Sequence, residues 1–84
     1  MNNKHRRTLS EVFDNPVRSS IAWRDIEALF RSLGEVTEGE GSRVLVEING
    51  MDAVFHRPHP HKETDKGAVK SVRRFLTEAG ITPE

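Results

Sequence analysis

The chain has 84 residues, no cysteine, and 13 basic side chains balanced by 13 acidic ones. That length holds one small domain, which buries only about 60–65% of the surface its unfolded chain would expose. The composition excludes disulfides and thiolate metal sites, and no apolar run approaches the roughly 20 residues of a membrane-spanning helix.

Lys4, Arg6 and Arg7 make the first residues basic, but no apolar signal region follows them, so a cytoplasmic location without membrane association is expected. The charges are unevenly placed. Five basic residues stand against Glu11 and Asp14 up to Arg24, two against seven acids from Asp25 to Val54, and six against four from Phe55 onward. Such separation leaves basic ends that can meet phosphates, although a solvated surface carries the same pattern.

In chain order, Thr8-Leu9-Ser10-Glu11 fits a capping box that opens a short helix bearing Leu9, Val12 and Phe13. Asn15-Pro16 ends it, because the residue before proline is pushed out of the α region. Pro16 to Ala22 reads as a linker. Trp23, Ile26, Leu29, Phe30 and Leu33 recur at helical spacing, predicting a helix over 23–33 that stops at Gly34. Asp25 and Glu27 suit its positive N-terminal end.

A short strand over 35–37 leads through Glu38-Gly39-Glu40-Gly41 into a hairpin. Its strands, Arg43–Ile48 and Met51–His56, flank Asn49-Gly50, a two-residue turn that fixes the register. That register puts Val44, Val46, Ile48, Met51, Ala53 and Phe55 on the core face. It pairs Glu47 with Asp52, Leu45 with Val54 and Arg43 with His56 on the other. Arg57-Pro58-His59-Pro60-His61 forms an extended loop. Thr64 or Asp65 caps a last helix over about 66–79, with Ala68, Val69, Val72, Phe75, Leu76 and Ala79 as its buried stripe. The expectation is an α+β fold in which helices cover one face of a three-stranded antiparallel sheet, plus an extra N-terminal helix.

Three features offer chemistry. Lys66, Lys70 and Arg73 recur at i, i+4 and i+7, with Arg74 beside them, beyond a helix N-terminus that favours anions. An ordinary wet helix face has the same spacing. His56, His59 and His61 fall within six residues. They lack the cysteines of a familiar zinc spacing, so no metal site is expected, but an ordinary imidazole, titrating near ~6.5, serves as acid or base at neutral pH. Gly41-Ser42-Arg43 lets backbone approach a ligand closely, or simply starts a strand.

Gly41-Ser42 opening a strand and the hairpin are followed by Pro58-His59-Pro60 and Glu63-Thr64-Asp65-Lys66-Gly67. Next come Val69-Lys70-Ser71-Val72-Arg73-Arg74-Phe75-Leu76 and Ala79-Gly80-Ile81. With the helix ending in Leu33-Gly34, this order resembles the HicA toxin family over Trp23 to Ile81. The resemblance implies a domain over 23–84 like a double-stranded-RNA-binding domain, with residues 1–22 as an N-terminal extension. It implies an endoribonuclease that cleaves mRNA without the ribosome, needs no cofactor, and is neutralised by a HicB antitoxin. The family places its catalytic histidine just after Gly-Ser. Here Arg43 holds that place, facing outward, and a guanidinium cannot act as a base.

The hairpin register supplies a substitute. His56, opposite Arg43, is positioned as base for a ribose 2′-hydroxyl, Arg43 as clamp on the phosphate, and His59, which matches the family's loop histidine, either as acid or simply as a support for the loop. Ser42, Lys66, Lys70, Arg73 and Arg74 are the expected RNA contacts. Two alternatives stay open: a non-catalytic RNA-binding domain of the same fold, and a winged-helix DNA-binding protein. Against the latter, Asp25 and Glu27 would repel phosphates from the second helix.

Overall fold

Eight elements form in the computed structural model, which describes residues 1–84: α1 (Asn3–Val12), β1 (Ile21–Ala22), α2 (Trp23–Leu33), β2 (Glu35–Glu38), β3 (Arg43–Ile48), β4 (Met51–His56), β5 (Glu63–Thr64) and α3 (Lys66–Glu78). The fold is α+β. A three-stranded antiparallel sheet has the order β2-β3-β4. The succession α2-β2-β3-β4-α3 is compatible with a double-stranded-RNA-binding-domain-like arrangement.

The hairpin takes the register its turn dictates. Asn49 and Gly50 both have positive φ, 52° and 81°, as a type I′ turn requires. Arg43 pairs with His56, Val44 with Phe55, Leu45 with Val54, Val46 with Ala53, Glu47 with Asp52, and Ile48 with Met51. Val44, Val46, Ile48 and Phe55 are buried and Ala53 is half-buried. Met51 departs from the expected core face and is 38% exposed, because it sits beside the turn on an outer strand of the sheet. Asn49 also donates its side-chain amide to the Ala79 carbonyl at 2.8 Å, tying the turn to the end of α3.

α2 buries Trp23, Ile26, Leu29 and Phe30. α3 buries Val69, Val72, Phe75 and Leu76, and Ala79 is buried just beyond its end. An aromatic cluster joins these layers. Phe30 stacks on Phe55 with centroids 5.3 Å apart, and Phe75 lies edge-on to both, at 5.9 and 5.7 Å. Each such side chain, fully buried, stabilises the fold by ~1.5–3 kcal/mol. Gly34 is extended, not left-handed. A Cβ there would lie 2.0 Å from the Glu47 carbonyl oxygen, so only glycine lets α2 turn into β2 so close to β3.

Two further sequence expectations need correction, and one open choice is decided. Thr8 does not cap the first helix. The helix begins six residues earlier, where the Asn2 side chain accepts from the His5 amide at 2.8 Å. Thr8 is buried within α1 and donates to the Lys4 carbonyl. Residues 16–22 are not all linker, since Ile21 and Ala22 pair with Thr64 and Glu63 as a second, two-stranded ribbon. Thr64 therefore belongs to a strand, and Asp65 caps α3 by accepting from the Ala68 amide at 2.8 Å.

Candidate functional site

Arg43 opens β3 and His56 closes β4, so their pairing lies at the end of the hairpin farthest from its turn. Both side chains are exposed, on the sheet face opposite the buried Val44 and Phe55. Ser42 precedes Arg43 in the turn, and its carbonyl accepts from the Arg57 amide at 2.8 Å.

Beside this end of the hairpin is an open cleft of about 600 Å³. His56, His59 and His61 line one part of it, and Gly67, Ala68 and Ser71 of α3 line another. The structure thus brings the three histidines onto one cleft against the first turns of the last helix. No group of three His, Cys, Asp or Glu side chains is arranged to hold a metal ion.

The cations of α3 divide by face. Gly67, Ser71 and Arg74 stand at i, i+4 and i+7, so Arg74 continues the stripe that lines the cleft. Lys66 and Lys70 lie next to that stripe, and all three cations are exposed. Arg73 points elsewhere. It donates to the Val12 carbonyl at 2.9 Å, the Asp14 carbonyl at 2.6 Å and Asn15 Oδ1 at 3.3 Å, with its guanidinium over the Phe13 ring. Arg73 therefore terminates α1, satisfying carbonyls that a helix end leaves without partners.

Sequence reasoning missed the arrangement that holds the histidine loop. Arg57 donates Nε and Nη2 to Glu27 of α2 at 3.0 and 2.8 Å, and its Nη1 lies 2.7 Å from Glu38 Oε1. The Trp23 indole donates to the same Glu27 carboxylate at 2.9 Å, and Arg31 Nη2 lies 3.6 Å away. Hydrogen bonding from Arg57 holds the Glu27 carboxyl below its ordinary value of 4.5, against the opposing effect of burial. The same bond, with that to Glu38, raises Arg57 above its ordinary value. A Glu27 at helical spacing from Trp23 was the only local signal, since Arg57 is 30 residues away.

Fold and cleft together define a small α+β protein with imidazole and guanidinium groups gathered where a hairpin ends against a capped helix. The chain belongs to the HicA toxin family. The family described as "HicA toxin of bacterial toxin-antitoxin" matches residues 23–81. The chain is accordingly a toxin of a toxin–antitoxin system, which implies a cognate antitoxin, and the winged-helix alternative falls away. No curated protein and no solved structure matches the chain. No helix is long and apolar enough to cross a membrane.

Proposed function

We propose that this toxin binds and cleaves mRNA without a metal and is neutralised by a HicB-like antitoxin. The pairing of Arg43 with His56 beside the histidine-lined cleft is the observation that supports it. His56 takes the proton of a ribose 2′-hydroxyl. The alkoxide attacks the adjacent phosphorus, forming a 2′,3′-cyclic phosphate and breaking the bond to the 5′-oxygen. His59 returns a proton to that leaving oxygen. Arg43 neutralises the charge that builds on the phosphoryl oxygens, where a fixed cation is most effective. Ser42, Lys66, Lys70 and Arg74 hold the flanking backbone. Arg73, engaged at the end of α1, contributes its charge more distantly.

The position of Arg43 where the family carries its histidine favours one other reading, an RNA-binding toxin that does not cleave. Incubating the purified protein with single-stranded RNA, in chelator and at several salt concentrations, separates the two. Cyclic-phosphate products support cleavage. Salt-dependent binding with intact RNA supports the binding-only reading. In bacteria lacking a partner, expression is expected to slow growth with accumulation of degraded mRNA, and co-expression of a HicB-like protein to restore it.

A further inference from the structure

The histidine loop, residues 57–62, leaves β4 and returns at β5. Such an exposed segment buries little of its own surface, yet both of its ends are held. At the near end the Arg57 amide bonds the Ser42 carbonyl, and the Arg57 guanidinium forms its fork with Glu27. At the far end the Lys62 carbonyl accepts from the Trp23 amide at 3.0 Å, just before Glu63 and Thr64 pair with Ala22 and Ile21. Both anchors are on α2: the near end is held by the Glu27 side chain and the far end by the Trp23 backbone. Glu27 Oε2 accepts from Arg57 Nε at 3.0 Å and from the Trp23 indole at 2.9 Å.

Taking the nuclease reading as given, we infer that Glu27 is a positioning residue that anchors the near end of the histidine loop to α2 through Arg57 and so sets His59 relative to His56. Glu27 is well placed for this. Its side chain is only 12% exposed, α2 is a rigid part of the core, and a bidentate carboxylate–guanidinium pair fixes direction as well as distance. Arg57 directly follows His56 and precedes His59 by two residues, so a rotation at Arg57 moves both imidazoles. Displacement of a reacting group by about 1 Å costs up to roughly 100-fold in rate. The outer arm to Glu38, whose side chain is 68% exposed, adds less.

The test compares Glu27→Gln and Arg57→Lys in the full chain. Amide hydrogen exchange and histidine ring NMR report on the loop, and single-turnover RNA cleavage reports on chemistry. Both variants are expected to stay folded, to exchange faster over residues 57–62 than over α2 and β3, and to lose roughly 10- to 100-fold in kcat with KM little changed. Loop exchange as slow as in the unaltered protein overturns the inference. So does a loosened loop with unchanged kcat, or equal losses in every element, or failure of both variants to fold. If the unaltered protein cleaves no RNA, the proposed function fails. Exchange and ring signals then still decide whether Glu27 holds the loop.

Discussion

Arg43 and His56 face each other across the β3–β4 ladder at its open end, on the sheet face that carries no buried residue. Opposed residues in such a ladder have Cβ atoms about 4.5–5.5 Å apart, close enough to act on one phosphate. His56→Ala is expected to lower RNA cleavage by about 10²–10⁴-fold, with folding and RNA affinity nearly intact. Arg43→Ala should reduce cleavage and binding together. His59→Ala divides the candidates. If it abolishes cleavage while His56→Ala does not, the loop histidine is the base and the hairpin pair is not the catalytic one.

The division of cations on α3 predicts two different phenotypes. Replacing Lys66 and Lys70 with glutamate should weaken RNA binding without unfolding the domain. Each phosphate deprived of its cation should lower the salt slope by roughly 0.7 on a single strand. An unchanged slope removes this face from the interface. Arg73→Ala should do the reverse. It leaves the Val12 and Asp14 carbonyls without their donor and should cost about 1.5–3 kcal/mol, seen as a lower urea midpoint. A larger effect on the salt slope than on that midpoint would place Arg73 with the RNA contacts.

The pairing of Arg43 with His56 was legible because Asn49-Gly50 admits one turn geometry, and the turn then fixes every partner along the ladder. α2 was legible from Trp23 to Leu33 because its stripe is unbroken and Gly34 ends it. Two-residue strands have no periodicity, so Ile21 and Glu63 gave no sign of pairing. Asn2 and Thr8 are both good capping residues, and burial of Thr8 against the core decides between them. Arg73 read as a free cation, and Arg57 as no more than a loop residue, because their acceptors lie 61 and 30 residues away, a separation that only the packed fold closes.

Glu27 makes stability depend on acid. Its folded value is depressed, chiefly by the hydrogen bond from Arg57, with Trp23 and Arg31 adding to it. Its contribution is therefore complete above the ordinary carboxyl value of 4.5 and is lost as the pH falls through the depressed folded value. Glu27→Gln should cost roughly 1.5–3 kcal/mol at pH 7. The gap between the two urea midpoints should narrow steadily below about pH 4.5, because the protonated side chain of the parent then resembles the amide. A gap that stays constant down to about pH 2.5 would mean the fork adds nothing through its charge.

The family match starts at Trp23, but the core does not. Leu9 and Val12 are buried in the same cluster as Ile26, Leu29, Val69 and Val72. Arg73 ends α1, and Ile21 and Ala22 pair with the strand that returns from the histidine loop. Leu9→Ala should therefore destabilise the whole domain by about 2–5 kcal/mol, in one cooperative transition. A chain beginning at Trp23 exposes the faces of α2 and α3 that α1 covers, and removes the partner of β5. Near-UV circular dichroism of that shortened chain should lose the signal of its buried Trp23 while helical far-UV signal partly persists, the pattern of disrupted side-chain packing. If the shortened chain instead keeps its near-UV spectrum and melts within a few degrees of the full chain, residues 1–22 are a separable extension, and the ribbon they form with β5 is dispensable for holding the loop.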